Sequence, residues 1–231
     1  MEREALAGSA GGSPARTDDD QGWRSRGYLP HFDRPGLMQM VTFRLADALP
    51  SDKLLDLRDN PMKPLDARGR QRVEDLMDSG HGACHLRDPR IAQSVEDNLL
   101  HFDGIRYHLL AWVVMPNHVH VMIEVLSGSS LSQIVQSWKS YTSKEANCLL
   151  GRSGRFWQPE YFDRAIRDVR HFNAAMTYIH ENPVKAGLVQ RPEDWPYSSA
   201  GRYCGESLAG EPPALPAVGH FGPHSRHTIE E

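Results

Sequence analysis

The chain has 231 residues, of which 39% are hydrophobic and 24% are charged, and its formal net charge is −4. This length supports one main folded domain with extensions, and no apolar run approaches the roughly 20 residues that a membrane-spanning helix needs. The three cysteines are far apart and odd in number, which argues against a disulfide framework and against a thiolate zinc site. We therefore expect a cytoplasmic protein that does not enter a membrane.

Composition separates the two ends of the chain from its middle. Residues 1–22 are rich in Gly, Ala and Ser and lack any apolar period, so they are predicted to form a disordered N-terminal arm. Residues 205–231 are rich in Pro and His and are predicted to be a flexible C-terminal tail. Residues 23–204 remain as the folded domain.

The first half of this domain contains three predicted strands. Residues 38–45 are rich in β-formers, and residues 51 to about 105 have a mostly helical, polar pattern. Two further strands, 109–115 and 118–125, are separated by the turn signal Pro116-Asn117 and are predicted to form a hairpin.

The second strand of this hairpin carries two histidines with one residue between them. Four apolar residues starting at Val119 alternate with His118, His120, Met122 and Glu124, as in a strand with one apolar face. Both imidazoles therefore point to the same side, roughly 6.5 Å apart at Cβ, and can bind one metal ion. An isolated pair of histidines with this spacing is more often structural than functional. A metal site therefore needs support from a second element of the chain.

The second half of the domain supplies that element. A helix with one apolar face is predicted to start at Ser130 or Ser132 and to run to about residue 150. A strand near 161–166 follows, and then a last helix that Asp168 begins and that ends before Pro183. In the last helix, Tyr178 and Asn182 are four residues apart and lie on one flank of the apolar stripe. From the pattern alone, Tyr178 can equally be a packing residue and Asn182 a helix cap. Tyr141, at the edge of the apolar face of the earlier helix, is the rival nucleophile.

The order of these elements predicts the architecture. Strand, helix, two-stranded hairpin, helix, strand and helix form a split βαβ arrangement, which is an α+β fold of the ferredoxin-like type. We expect an antiparallel sheet with helices packed on one face and the histidines on the opposite, open face.

Such a set of side chains is suited to phosphoryl transfer. A divalent ion held by two histidines and an oxygen ligand polarises a phosphodiester, and a phenol activated nearby attacks it to give a covalent phosphotyrosine. Two other functions stay open at this point. One is a metal phosphodiesterase in which water is the nucleophile, and the other is a binding protein that keeps the fold but has little catalysis.

Several motifs occur in an order that resembles one family. They are Trp112-Val-Val-Met-Pro-Asn-His-Val-His120, Phe156-Trp-Gln-Pro-Glu-Tyr-Phe-Asp163, Tyr178-Ile-His-Glu-Asn-Pro-Val-Lys-Ala-Gly187 and Asp194-Trp-Pro-Tyr-Ser198. With them, roughly residues 25–204 resemble the single-tyrosine transposases with a His-hydrophobic-His motif, in particular their REP-associated branch. The acidic N-terminal arm, the long segment after the first strand and the Pro/His-rich tail depart from that pattern.

The resemblance implies a site and a substrate. His118 and His120 would bind Mg²⁺ or Mn²⁺, Asn182 would stand at the third ligand position, and Tyr178 would attack single-stranded DNA to form a 5′-phosphotyrosine. The DNA partner would be folded hairpins of REP-like palindromes, with the protein a monomer or homodimer.

A local excess of positive charge agrees with a DNA partner. Residues 139–191 contain nine Lys and Arg against five Asp and Glu, although the whole chain is acidic. The cations predicted to contact DNA phosphates are Arg152, Arg155, Arg167 and Lys185.

Overall fold

The computed structural model describes residues 23–25, 30–32, 36–49 and 80–203. Its strands are β1 (Trp23–Ser25), β2 (Pro30–Phe32), β3 (Met38–Arg44), β4 (Tyr107–Val114), β5 (His118–Val125) and β6 (Phe162–Ala165). Its α-helices are α1 (Pro89–His101), α2 (Leu131–Leu149), α3 (Val169–Lys185) and α4 (Ala200–Tyr203), with 3-10 helices at His85–Arg87 and Pro192–Asp194. No helix among these residues is long and apolar enough to cross a membrane.

Four strands form the central antiparallel sheet in the order β4-β5-β3-β6, and β1 and β2 form a separate two-stranded sheet. β3 lies between β5 and β6, so the chain crosses over through α1 and again through α2. This is the predicted α+β, ferredoxin-like fold, and the prediction is confirmed. The register of β3 against β5 places Thr42 opposite His120 and Arg44 opposite His118.

The main core lies between one face of the sheet and the helices α1 and α2. The apolar residues of β5 that begin with Val119 face it, as their alternation predicts. Trp138 of α2 is 1% exposed, and its indole N–H donates to the Tyr107 hydroxyl at 2.9 Å. That hydroxyl in turn donates to the Leu99 carbonyl of α1 at 2.6 Å, so one hydrogen-bonded chain connects both helices to the sheet.

The second face of the sheet is covered by α3, and the expectation of an open histidine face is wrong. The predicted apolar stripe of α3, with Phe172, Ala175 and Ile179, packs in a second core with Val113 and Met122. These sheet residues share the face that carries the histidines. An apolar surface of this kind has to be buried, so α1 and α2 lie on one face and α3 lies on the other.

α3 begins where the sequence predicts and ends later. The Asp168 carboxylate caps it by accepting from the backbone N–H of His171 at 2.7 Å. Instead of ending before Pro183, the helix continues to Lys185. Gly187 stops it with a positive φ of 68°, donating to the Val184 carbonyl, while Leu188 donates to the Pro183 carbonyl. This Schellman arrangement satisfies the last carbonyls, so Pro183 is accommodated within the final turn.

Residues 195–199 follow α3 and pair with β4. The backbone N–H of Val114 donates to the Tyr197 carbonyl at 2.8 Å, and that of Ser199 donates to the Trp112 carbonyl at 3.0 Å. The Trp195 indole N–H donates to the Val114 carbonyl at 3.0 Å. The Asp194-Trp-Pro-Tyr-Ser198 motif therefore fixes the chain after α3 against the sheet.

Two other expectations have different outcomes. The predicted arms at 1–22 and 205–231, and the helical pattern of 51–79, lie outside the described residues. Tyr141, expected at the edge of the apolar face of α2, is instead 52% exposed.

Candidate active site

The two histidines of β5 meet beneath α3. Their Nε2 atoms are 3.0 Å apart, and their ring centroids are 4.6 Å apart at an interplanar angle of 78°. Both side chains are completely buried. The two Nε2 atoms therefore lie together, as the strand alternation predicts.

The other nitrogen of each ring is held by an oxygen. Asn117 Oδ1 lies 2.8 Å from His118 Nδ1, and Thr42 Oγ1 lies 2.7 Å from His120 Nδ1. An amide oxygen only accepts, so His118 carries its proton on Nδ1 and the lone pair of its ring on Nε2. Asn117 Nδ2 donates to the His81 carbonyl at 3.0 Å, which fixes the amide in turn. Oxygen partners at Nδ1 are the usual support of metal-binding histidines.

The environment keeps both imidazoles neutral. Burial, with the neighbouring His120 and Arg44, lowers the pKa of His118 well below its usual 6.5. Burial lowers the pKa of His120 to about 3. Neutral imidazole is the form that binds a cation, so the pair is ready for one at neutral pH.

Tyr178 of α3 joins this pair. Its hydroxyl lies 3.4 Å from His120 Nε2, and its ring meets the His120 ring edge-on with centroids 5.1 Å apart. The Lys185 ammonium lies 5.0 Å from the centre of the Tyr178 ring. The helix thus brings a phenol and a cation to the histidines from the side opposite the sheet.

Asn182 lies one helical turn after Tyr178 and is completely buried. Among the described residues, neither its Oδ1 nor its Nδ2 has a hydrogen-bond partner. Its side chain does not cap α3, since the helix continues to Lys185. A buried amide without partners costs about 1–3 kcal/mol, so Asn182, four residues after Tyr178 on the same helix, is a candidate to bind a ligand.

These donors fit a divalent cation. The set would be two imidazole nitrogens and one amide oxygen, which suits metals such as Mn²⁺ and leaves positions for water or phosphate. In the part of the chain that the structure describes, no group of three or more His, Cys, Asp or Glu residues could hold a metal. Asn182, an amide on the same helix as Tyr178, falls outside those four residue types.

Sequence patterns did not reveal three residues that support this site. Thr42 and Arg44 come from β3, far from the histidines along the chain, and only the strand register brings them together. Arg44 is 2% exposed, and its guanidinium lies 5.0 Å from the centre of the Phe162 ring. The sequence predicts Asn117 only as a turn residue. Its position directly before His118 is the one local signal that it also holds the His118 ring.

Comparison with known proteins agrees with this arrangement. The family model described as "Transposase IS200 like" matches residues 93–182, which include both histidines and Tyr178. The REP-associated tyrosine transposase of Escherichia coli is 31% identical over 96 residues, 42% of this chain. A putative REP-associated tyrosine transposase of Haemophilus influenzae is 26% identical over 106 residues. The resemblance to REP-associated tyrosine transposases is confirmed.

The matches differ in how much they cover. The aligned part spans 56% and 60% of the length of these two transposases. A solved structure of a REP-associated tyrosine transposase bound to a REP hairpin has a TM-score of 0.50 and 21% identity, covering 76% of this chain and 84% of that one. At this identity the structural likeness shows the shared fold.

The four cations predicted to contact DNA are all exposed. Arg152 and Arg155 lie between α2 and β6, and Arg152 donates to His85 Nε2 and to the Arg155 carbonyl. Arg167 and Lys185 lie near the two ends of α3. Lys185 is the one that the structure brings to Tyr178.

The rival nucleophile is in the wrong place. Tyr141 belongs to α2, which packs on the face of the sheet opposite the histidines. Tyr178 is therefore the phenol that the fold presents to His118 and His120.

Proposed function

We propose that this protein cleaves and rejoins single-stranded DNA at hairpin-forming, REP-like repeats through a covalent 5′-phosphotyrosine on Tyr178. The observation that supports it most directly is the Tyr178 hydroxyl 3.4 Å from Nε2 of His120 in the buried histidine pair. The transposase matches support a DNA-processing enzyme of this general kind.

The reaction needs no external energy source. The Tyr178 oxygen bonds to phosphorus while the bond from phosphorus to the 3′ oxygen breaks, leaving DNA with a free 3′ hydroxyl. The phenol loses one proton and the 3′ oxygen takes one up, so no co-reactant is consumed. Because one phosphodiester replaces another, a 3′ hydroxyl can reverse the step and join strands.

His118, His120 and Asn182 would hold Mg²⁺ or Mn²⁺. A divalent ion bound there would neutralise the charge that develops on the phosphate oxygens. The chain's own residues do the rest. Burial keeps both imidazoles neutral, and Asn117 and Thr42 orient them beside the Tyr178 phenol. Lys185 adds a positive charge over the ring of the attacking Tyr178.

Folded DNA hairpins are the proposed partner. A structural neighbour is bound to a REP hairpin, and this chain carries exposed cations at the ends of α3 and in the loop before β6. Arg152, Arg155, Arg167 and Lys185 would contact phosphates, which position a strand without reading its sequence. We propose a monomer or homodimer acting in the cytoplasm.

The test is a labelled single-stranded DNA that contains palindromes from the source genome, incubated with Mn²⁺ or Mg²⁺ and resolved on a denaturing gel. A labelled adduct of protein size should form, and it should disappear with chelator and with Tyr178→Phe. Tyr141→Phe is the matched control and should leave the adduct unchanged.

Three outcomes would overturn the proposal. An adduct that persists in Tyr178→Phe would mean that another residue is the nucleophile. Free 5′ ends without an adduct would identify a water-dependent phosphodiesterase. Tight hairpin binding without cleavage would identify a DNA-hairpin-binding protein with little catalysis.

A further inference from the structure

A cavity lies on the other side of the sheet from Tyr178. Its volume is about 540 Å³, and it opens between α2 and the segment 155–161. Phe156, Trp157 and Tyr161, which belong to the main core, form its apolar floor. Pockets of this size with an apolar floor and a polar rim are typical of sites for small organic groups.

The walls of this cavity are fixed by hydrogen bonds. The Lys139 ammonium of α2 donates to the Pro159 carbonyl at 2.7 Å and the Glu160 carbonyl at 3.4 Å. The Trp157 indole N–H donates to the Thr142 hydroxyl of α2 at 2.9 Å. Helix and segment are thus joined on both sides, so a ligand would meet a site that is already formed.

The rim is positively charged in a chain that is negative overall. Lys139, Lys144 and Arg155 line the cavity, with Glu160 as its one acidic residue. Burial lowers the pKa of Lys139 to about 8, which still leaves most of its ammonium charged at neutral pH. An apolar floor under a cationic rim fits a ligand that has both a flat, largely apolar ring and an anionic group.

The position of the cavity connects it with the catalytic face. The segment 155–161 leads directly into β6, the outermost strand on that side of the sheet. Phe162, the first residue of β6, already lies against Arg44 on the histidine face. The cavity and the histidine face therefore adjoin the same β-strand, β6.

We propose that this cavity is a second DNA subsite, which takes an unpaired nucleotide of the substrate strand. The base lies on the floor formed by Phe156, Trp157 and Tyr161, and the adjoining phosphates lie against Lys144 and Arg155. The inference rests on the proposed action on single-stranded DNA. This face of the protein would bind a part of the DNA strand that is distant from the cleaved bond.

Equilibrium binding tests the subsite without catalysis. A short fluorescent oligothymidine is titrated with the full chain in EDTA, and its anisotropy gives Kd. Ser140→Trp, an exposed position on the cavity wall, should fill the space and weaken binding roughly ten-fold, the loss expected when one base is no longer stacked or buried. Gln133→Trp, exposed on the same helix outside the cavity, should leave Kd unchanged.

The rim is tested by salt dependence. Lys144→Gln should reduce the slope of log K against log salt by about 0.7, the value for one phosphate contact with a single strand. Arg87→Gln removes an exposed charge away from the cavity and should leave the slope unchanged.

The outcomes separate the subsite from the strand-transfer chemistry. If Ser140→Trp binds as tightly as the unmodified chain while adduct still forms, the subsite is wrong and the proposed function stands. If Ser140→Trp weakens binding but no adduct forms with any DNA, the subsite stands and strand transfer is wrong. A chain that binds no single strand overturns both.

Discussion

At the scale of single residues, Asn182 is placed where an apolar side chain would be more stable. It is completely buried, and both of its side-chain polar atoms lack a hydrogen-bond partner among the described residues. Replacing such a group by an apolar one of similar size removes the desolvation cost.

We therefore expect Asn182→Leu to raise the melting temperature of the metal-free protein while it lowers affinity for Mn²⁺ by ten-fold or more. Calorimetric melting in EDTA and isothermal titration of Mn²⁺ measure the two effects. Asn98→Leu is the matched control, because Asn98 is buried and its Oδ1 also lacks a partner in the described part of the chain. Asn98 lies on α1, so Asn98→Leu should not change the affinity for Mn²⁺. Equal losses of Mn²⁺ affinity in both variants would contradict a ligand role for Asn182.

The buried histidines predict how stability depends on pH. Their pKa values are far below 6.5 in the folded chain, so below pH 6.5 the unfolded chain binds more protons than the folded one. The stability of the metal-free protein should then fall as the pH falls from 6.5 towards 3, by up to about 1.4 kcal/mol per pH unit for each histidine.

Urea unfolding in EDTA at pH 7 and pH 5.5 measures this slope. His120→Asn should reduce it, since one titrating group is lost, whereas His101→Asn at an exposed position should keep it. A slope in His120→Asn equal to that of the unmodified chain would show that the histidine pair does not control the pH response.

Sequence spacing was sufficient for some residues of the site and not for others. The period of two along β5 and the spacing of four along α3 place His118 with His120 and Tyr178 with Asn182, because each pair shares one element. Thr42 reaches His120 only through the pairing of β3 with β5. That register depends on the whole sheet, so no local pattern of residues predicts it.

At the scale of elements, the four strands of the central sheet were predicted well because alternation is a local signal, whereas β1 and β2 were not predicted. The end of α3 was not, because the sequence pattern gave weight to Pro183 and none to Gly187. The structure shows that Gly187 with its positive φ ends the helix. The face that α3 covers was also missed, since apolar residues occur on both faces of the sheet.

This end of α3 gives a prediction of stability. Gly187→Ala forces a side chain into the left-handed region and should destabilise the protein by about 1 kcal/mol in urea unfolding. Gly201→Ala is the control: its φ is not positive, and an added Cβ would meet its nearest neighbour, the Glu193 carbonyl oxygen, at 3.5 Å. That variant should be neutral or slightly stabilising. Equal losses of unfolding free energy in the two variants would argue against a Schellman motif at the end of α3.

At the scale of the whole molecule, net charge is a poor guide to the partner. The chain carries −4, yet the four cations predicted to contact DNA lie at the ends of α3 and in the loop before β6. Only the fold shows which charges share a surface. The arms predicted at both ends lie outside the described residues, so those predictions stay open.

The four proposed phosphate contacts predict the salt dependence of DNA binding. If Arg152, Arg155, Arg167 and Lys185 each neutralise one phosphate, log K should fall with log salt at a slope of about −3 for a single strand. Fluorescence anisotropy over a salt series measures it. Arg167→Gln should reduce the slope by about 0.7, whereas Arg90→Gln, whose side chain is paired with Asp88, should not. A slope near zero would contradict a phosphate-binding surface.

The pairing of residues 195–199 with β4 also limits how copies of this protein can associate. β4 is the outermost strand on its side of the sheet, and a bare outer strand is a template for strand addition by another molecule. Here Tyr197 and Ser199 already occupy the backbone groups of Trp112 and Val114. The chain thus protects its own sheet from growth in this direction, and a homodimer has to be built through a different surface.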